Sequence, residues 1–166
     1  MNSEELKKLQ APLKEKYRDE PNAAIITLKA EGKTGDNISC KVETGRAMIE
    51  AGLHPATGGT GLLACSGDLL LEALVACAGV TLNAVATAIG VDIKNGIVKA
   101  EGDLDFRGTL GVSKEVPVGF IEIRLKFIIE SDAPPDKLES LQKLTERYCV
   151  VYQTLVSGTK IKTVFV

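Results

Sequence analysis

Residues 66–90, which read SGDLLLEALVACAGVTLNAVATAIG, decide the fold of this chain. After Glu72 the segment contains no charged residue as far as Gly90, and an apolar run of that length predicts one long helix. Ser66 can cap the start of this helix, and Gly90 can end it in the left-handed conformation that glycine tolerates. Cys77 lies near the middle, so the segment leaves open whether this thiol serves packing or chemistry.

The composition of the segment favours a buried core helix over a membrane span. Thr81, Asn83 and Thr87 interrupt the apolar run, alanine is abundant, and no basic flank follows. The N-terminus begins MNSEELKKLQ, which is charged and polar where a signal peptide has an apolar core. We therefore expect a cytoplasmic protein with no membrane partner, whose thiols are reduced at rest.

The overall composition is that of an ordinary globular protein, and it excludes several classes of function. The chain has 166 residues, 45% hydrophobic and 25% charged, which suits one domain with a sizeable core. Aromatic residues make up 4%, tryptophan is absent, and the formal net charge is -2. Stacking platforms and a basic surface are both missing, so we expect no nucleic-acid partner.

Periodic patterns predict the elements around the central helix. Residues 1–22 are predicted to form a helical arm, kinked or divided at Pro12, and residues 23–166 the main domain. Alternating apolar and polar residues predict strands at 24–31, 38–43, 98–106, 121–129 and 160–166. GKTGD, residues 32–36, predicts the turn of the first hairpin. Strands in pairs with helices between them favour an α+β fold with an antiparallel sheet.

Further segments are predicted from their spacing and composition. Residues 44–65 contain five glycines and are predicted to form a long loop, with a short turn of helix around residues 47–51. Long irregular loops in compact domains are often functional. Residues 132–149 and 150–156 are predicted to be helical.

The cysteines lie at positions 40, 65, 77 and 149 and form no C-x-x-C motif. Their spacing does not choose among the possible pairings, and the single histidine, His54, gives weak support to a zinc site. The alternating pattern puts Cys40 on the apolar side of its strand. GGTG, residues 58–61, suggests an anion site before a helix but lacks the Lys-Ser/Thr of a P-loop.

Two cysteine motifs resemble a known family. ACSGDLLLEALVACAGVTL contains Cys77, and LTERYCVVYQTL contains Cys149 seventy-two residues later. In this order and at this separation they resemble the OsmC/Ohr family of thiol-dependent hydroperoxide reductases, over about residues 23–166. The resemblance implies an antiparallel sheet wrapped around long central helices in an intertwined homodimer, with each active site at the subunit interface.

The resemblance also implies a chemistry. Cys77 corresponds to the peroxidatic cysteine, which attacks the O–O bond of an organic or inorganic hydroperoxide and becomes a sulfenic acid. Cys149 corresponds to the resolving cysteine, which condenses with it to a disulfide. A small dithiol or lipoyl-type reductant then reduces that disulfide. No bound cofactor and no metal are expected.

A thiol in an apolar helix needs a partner to ionise, because burial raises its pKa. In the family an arginine from the preceding loop supplies a charge, and Arg46 corresponds to it. An acidic residue at the helix start holds that arginine. This chain reads Ser66-Gly67-Asp68 where members often read Pro-Glu-Glu, so Asp68 and Glu43 are candidates. Asp68 and Cys77 fall on opposite faces of a regular helix, so Asp68 would act through an irregular start or across the dimer, or else only favour the helix dipole.

Departures from the family pattern keep a second function open. Besides the missing Pro-Glu-Glu, the chain reads Cys149-Val150 where the family usually has Cys-Pro. A member with weak catalysis could bind a small hydrophobic ligand in the dimer cleft instead. The thiol of Cys77 separates the two functions, because an activated thiol ionises below the free value and a merely buried one above it. Cys65 could compete as a resolving thiol, and His54 could act as a base.

Overall fold

The computed structural model describes residues 2–19, 31–35, 39–43, 48–111 and 113–165. In chain order the elements are α1 (Ser3–Asp19), β1 (Glu31–Gly35), β2 (Ser39–Glu43), β3 (Met48–Gly52), β4 (Ala64–Cys65), α2 (Ser66–Ile89), β5 (Asn95–Asp103), α3 (Phe106–Thr109), β6 (Glu122–Glu130), α4 (Pro135–Tyr148) and α5 (Val150–Ser157). Helices and strands are mixed along the chain, so the predicted α+β class is confirmed.

Four of the strands form one sheet in the order β1-β2-β3-β4. β1 pairs antiparallel with β2, from Glu31 opposite Glu43 to Gly35 opposite Ser39, which confirms the predicted strand at 38–43 as half of a hairpin. Residues 32–35 belong to the strand, however, and not to the turn we predicted, because their backbones pair with β2. The predicted strand at 24–30 lies outside the described residues. β3 and β4 are parallel, so this sheet is not purely antiparallel.

The segment predicted as a long loop contains more regular structure than expected. Residues 48–52 form β3, antiparallel to β2, where we predicted a helical turn. Met, Glu and Ala favour helix locally, but the hydrogen bonds to β2 override that weak preference. A 3₁₀ turn, Pro55–Thr57, and the short strand β4 then lead into α2.

β5 and β6 form a separate two-stranded sheet. The Lys94 N–H donates to the Glu130 carbonyl at 2.9 Å, and the Ile121 N–H donates to the Asp103 carbonyl at 2.8 Å. The start of one strand therefore meets the end of the other, and the pair is antiparallel. Half-buried and exposed residues alternate along β6, as its sequence predicted.

The chain divides into two compact units. The first unit comprises Met1–Pro21, Ala73–Lys99 and Lys126–Val166, and the second comprises Asn22–Glu72 and Ala100–Leu125. The core of the first unit consists of Leu82, Val85, Ala86, Val91 and Leu141. α1 is one helix with Pro12 inside it, and Asn2 and Glu5 cap its start reciprocally. The division into an arm at 1–22 and a domain at 23–166 stays a prediction.

α2 is the long helix that the sequence predicted. Its buried residues follow a spacing of three and four, which is one face of a helix: Leu74, Ala78, Leu82, Val85 and Ala86. Val80, on another face, is 72% exposed. Gly90 ends the helix with φ 69°, as predicted. The helix is long and apolar enough to cross a membrane, but length and composition alone do not distinguish a span from a core helix.

The C-terminal region agrees with the predictions only in part. α4 and α5 confirm the two predicted helices. The predicted closing strand is wrong for residues 160–165, which have no strand pairing in the structure. An alternating pattern forms a strand only beside a partner strand, and within the described residues this segment has none. Ile161 and Phe165 are 89% and 96% exposed.

Candidate functional site

Cys77 lies beside the buried face of α2, in the first unit. Its neighbours Leu74 and Ala78 are 1% and 0% exposed, while Cys77 itself is half-buried. Thr81 follows four residues later, one helical turn along the same side. The thiol is therefore carried by a packed helix without being sealed from solvent.

Cys149 lies at the junction of α4 and α5 and is 1% exposed. Its N–H donates to the Thr145 carbonyl of α4 at 3.0 Å, and its carbonyl accepts from the Gln153 N–H of α5 at 2.9 Å. Its backbone is extended, with φ −73° and ψ 109°. The residue thus ends one helix and begins the next, and both helices fix its position.

The structure brings the thiols of Cys77 and Cys149 together, and we call them the thiol pair. The Cys149 thiol hydrogen-bonds to the Cys77 sulfur. The main-chain N–H groups of Val150 and Val151, in the first turn of α5, donate to the same sulfur, as does the Thr81 hydroxyl. Both members of the pair are free thiols.

These donors decide the ionisation of Cys77. Burial raises its pKa, and hydrogen bonds from the Val151 N–H, the Cys149 thiol, the Val150 N–H and the Thr81 hydroxyl lower it. The donors together outweigh burial, so the pKa of Cys77 lies below its ordinary value. None of these groups is a cation. Among the described residues, hydrogen bonds at a helix N-terminus stabilise the thiolate.

The pKa of Cys149 moves in the opposite direction. Burial raises it, and so do the hydrogen bond to Cys77 and the negative charge there, while the N–H groups of Tyr152 and Val151 oppose the rise. Two interacting thiols whose pKa values are pushed apart take different roles. The pKa of Cys77 is thus lowered while that of its neighbour Cys149 is raised.

The predicted arginine and its acidic partner are not brought together by the described residues. Arg46 lies outside them. Glu43 ends β2, opposite Met48 of β3, and only its backbone is described. Asp68 lies in the first turn of α2 and is exposed, in the second unit. A role for these three residues stays a prediction.

The second unit contains a cavity of about 350 Å³, which we call the Cys65 cavity. Its wall includes His54, Cys65, Asp68, Asp103, Phe106 and Phe120. Nδ1 of His54 accepts the Ala56 N–H at 3.0 Å, so a neutral ring carries its proton on Nε2. The same ring stacks on Phe106 with centroids 4.9 Å apart. Cys65 is a free, half-buried thiol, and its sulfur contacts no hydrogen-bond donor in the described part of the chain.

Asp103, on the wall of the Cys65 cavity, is held by Arg124. The guanidinium makes two hydrogen bonds to this carboxylate, from Nη1 to Oδ2 and, at 2.8 Å, from Nη2 to Oδ1. These bonds are the main reason that the pKa of Asp103 is lowered. Glu101 and Glu122 lie within 4 Å of the same guanidinium, at 3.8 and 3.6 Å. Arg124 therefore belongs to an exposed ion-pair network on β5 and β6.

The glycine-rich loop at residues 58–61 does not open onto α2. Gly58, with φ 92°, closes the 3₁₀ turn by donating its N–H to the Pro55 carbonyl at 3.0 Å. β4 then stands between this loop and Ser66, the first residue of α2. A phosphate loop places its amides directly at a helix start, so the structure does not favour that interpretation.

Sequence reasoning missed three of the groups around Cys77. The N–H groups of Val150 and Val151 belong to the main chain and leave no side-chain signature. Two signals were available: Val150 opens a predicted helix directly after a cysteine, and Thr81 follows Cys77 by one helical turn. Helix starts leave amides without internal acceptors, so a thiol beside one gains donors.

Comparisons with known proteins agree with this fold. The family model for OsmC-like protein matches residues 59–164, more than half of the chain and including both members of the thiol pair. No curated protein sequence matches the chain. The solved structure of an OsmC like protein from Mycoplasma pneumoniae is similar, with TM-score 0.66 and 18% identity over 79% of this chain and 88% of that one.

Two further solved structures are similar to a comparable extent. An organic hydroperoxide resistance protein OsmC from Legionella pneumophila has TM-score 0.62 and 18% identity over 80% of this chain and 90% of that one. An organic hydroperoxide resistance protein from Elizabethkingia anophelis has TM-score 0.61 and 19% identity over 79% and 89%. At these identities the structures bear on the fold, while the family model covers the sequence itself. The predicted resemblance is confirmed, and the chain belongs to the OsmC-like protein family.

Proposed function

We propose that the protein is a thiol-dependent hydroperoxide reductase, in which Cys77 attacks the peroxide and Cys149 resolves the product. One observation carries the proposal: the two thiols are in hydrogen-bond contact, with the pKa of Cys77 lowered and that of Cys149 raised. A nucleophilic thiol must be ionised near neutral pH, and a resolving thiol must lie within reach of it. Similarity to organic hydroperoxide resistance proteins supports the substrate class.

The reaction balances with the groups present and one external reductant. The Cys77 thiolate attacks an oxygen of the hydroperoxide, the S–O bond forms, the O–O bond breaks, and an alcohol or water leaves after protonation. Cys77 is then a sulfenic acid. Cys149 attacks its sulfur, forming the disulfide and releasing water. A dithiol supplies two electrons and two protons, which return both thiols to the reduced state.

The partners follow from the family and from the surface of α2. Val80 is an apolar residue of α2 and is 72% exposed. An exposed apolar side chain on this helix suits a second copy of the chain that covers the face carrying Val80. We therefore propose a homodimer that acts in the cytoplasm on an organic or inorganic hydroperoxide. Its reductant is a small dithiol or a lipoyl-type group, and Arg46 is a candidate for a further charge at Cys77.

The test is one equivalent of tert-butyl hydroperoxide added to the fully reduced protein, followed by peptide mass spectrometry. We expect one disulfide, between Cys77 and Cys149, and continued peroxide consumption when dihydrolipoamide is supplied. Cys77→Ser should abolish consumption, a loss on the order of 10³-fold or more for removal of a nucleophile. Cys149→Ser should leave Cys77 as a sulfenic acid that dimedone traps.

Cys65→Ser is the matched control, because it removes a half-buried thiol from the second unit. It should consume peroxide at the rate of the unchanged protein. Consumption that survives Cys77→Ser would refute the reductase. A disulfide that joins Cys65 to Cys77 would instead refute the resolving role of Cys149.

A further inference from the structure

The aromatic part of the wall of the Cys65 cavity is held in place by its own surroundings. Every residue of the wall belongs to the second unit. An added Cβ at Gly102 of β5 would lie 2.5 Å from the Phe120 ring, so this ring packs directly on the strand where only glycine leaves room. The His54 ring is held by a main-chain N–H and by stacking on Phe106. A ligand would therefore meet a preformed wall and would not have to order it.

Gly67, in the first turn of α2, contributes to the free volume of the cavity because it has no side chain. An added Cβ at this position would lie 3.5 Å from the Phe120 ring and 3.6 Å from the Cys65 sulfur and from Cδ1 of Leu104. These are ordinary van der Waals distances, so a larger side chain at position 67 would occupy the space between these residues. The cavity, of about 350 Å³, is at the lower end of the size range of small-molecule sites, so its occupant is small.

The charge of the wall favours one sign of ligand. The wall contains the carboxylates of Asp68 and Asp103 and, among the described residues, no lysine or arginine. Asp103 is already paired with Arg124. The Asp68 carboxylate has no hydrogen-bond or ion-pair partner in the described part of the chain. An aromatic face and an unpaired carboxylate both attract a cation, so the wall complements a positively charged ligand and disfavours an anion.

We propose that the Cys65 cavity is a binding site for a small organic ammonium compound with an aromatic body. The body of the ligand lies against Phe106 and Phe120, and its ammonium group pairs with the carboxylate of Asp68. The inference goes beyond the proposed function, because neither member of the thiol pair lines this cavity.

Cys65 provides the readout, since its free thiol lies on the cavity wall. The probe is 2-phenylethylamine, compared with the neutral 2-phenylethanol and the anionic 3-phenylpropionate. NMR titration measures each affinity, and mass spectrometry measures how far each compound slows modification of Cys65 by methyl methanethiosulfonate. We expect the amine to bind with a Kd of about 1 mM and to protect Cys65. The alcohol should bind about fivefold more weakly.

Two results of this comparison would overturn the proposal. One is an amine that leaves the modification rate of Cys65 unchanged. The other is an alcohol or a propionate that binds as tightly as the amine. Equal binding of the alcohol would mean that another group already holds the Asp68 carboxylate, and Arg46 is the predicted candidate for that group.

Asp68→Asn tests the carboxylate, because it removes the charge and keeps the shape of the side chain. It should weaken binding of the amine about fivefold and leave binding of the alcohol unchanged. Glu72→Gln is the matched control, since it removes one charge from the next turn of the same helix, at an exposed residue that does not line the cavity. Binding of the amine should be unchanged in this control. Equal weakening in the two variants would overturn the proposal.

Gly67→Leu tests the free volume. Leucine is a better helix former than glycine, so the variant should fold, as circular dichroism would verify. Its side chain fills the cavity, and the amine and the alcohol should both bind at least about tenfold more weakly. Unchanged binding would overturn the proposal. Cys77→Ser should bind the amine like the unchanged protein, whereas loss of binding there would place the amine at the thiol pair and overturn the assignment to the Cys65 cavity.

Discussion

The two units of this molecule hold their thiols in different ways. In the part of the chain that the structure describes, every fully buried apolar side chain belongs to the first unit, which carries the thiol pair. The second unit contains the Cys65 cavity, where two phenylalanine rings and the side chains of His54, Asp68 and Asp103 surround a thiol. One thiol site is thus built into a packed core, and the other borders open space.

The difference shows what a reactive thiol requires. Cys77 receives hydrogen bonds from two main-chain N–H groups, a hydroxyl and a second thiol, all held by α2 and by the start of α5. Cys65 instead lies on the wall of a cavity that also includes Asp68 and Asp103. Exposure alone would favour neither thiol, since both are half-buried. Fixed donors distinguish Cys77, and fixed donors need a packed framework.

The largest effect is expected from breaking that framework. Leu141 is 0% exposed in the core of the first unit, so Leu141→Ala removes buried methyl groups and leaves a cavity. The free energy of unfolding should fall by about 2–5 kcal/mol in urea denaturation of the reduced protein. Leu104→Ala, at the half-buried wall of the Cys65 cavity, should cost only about 1 kcal/mol. Equal losses in the two variants would contradict the contrast between the units.

Within the packed unit, the helix α2 is the element that the sequence predicted best. Leu74, Ala78 and Leu82 repeat at helical spacing, and that pattern follows from burying one face against a core. Patterns failed where pairing partners decide the structure. Met48–Gly52 is a strand because β2 lies beside it. Residues 160–165 alternate as well, but they pair with no strand among the described residues. Local propensity does not say whether a partner strand lies beside a segment.

The candidate site was predicted in its thiols and missed in its donors. Cys77 and Cys149 were identified from two sequence motifs, and the structure brings them into contact. The sequence could indicate only side chains as activating groups, and the charged ones were the candidates. Main-chain groups are the same at nearly every position, so they leave no signal in a sequence. Val150 departs from the family pattern in sequence, whereas its main-chain N–H is one of the groups that lower the pKa of Cys77. A main-chain donor becomes visible only when a helix start is placed in space.

A smaller effect should follow from removing one donor of Cys77 and leaving the framework intact. Thr81→Val replaces the hydroxyl by a methyl group and keeps nearly the same side-chain shape. Among the donors, this hydroxyl lowers the pKa of Cys77 least. The pKa should rise, and losing one hydrogen bond should slow alkylation of Cys77 by iodoacetamide below the pKa by about threefold. Thr81→Ser, which keeps the hydroxyl, should leave the pH profile unchanged. A Thr81→Val profile that moves to lower pH would contradict the assignment of the hydroxyl as a donor.

The smallest effect is expected from the most conspicuous polar contact of the second unit. Arg124 holds Asp103 with two hydrogen bonds, but both side chains are exposed, at 42% and 55%. Exposed ion pairs contribute little because water and salt screen them. Arg124→Gln should therefore change the melting temperature less than Leu141→Ala or Leu104→Ala does. Added salt should reduce the change further.

The pH dependence of that small effect has a defined sign. The pKa of Asp103 is lower in the folded chain than in the unfolded one, mainly because of the hydrogen bonds from Arg124. The stability that this pair contributes is therefore fully present above the unfolded pKa and is lost as the pH falls through the folded value. Melts of the unchanged protein and Arg124→Gln should differ at neutral pH and converge in acid. A difference that stays the same on acidification would mean that Arg124 stabilises the second unit through packing of its alkyl chain and not through its charge.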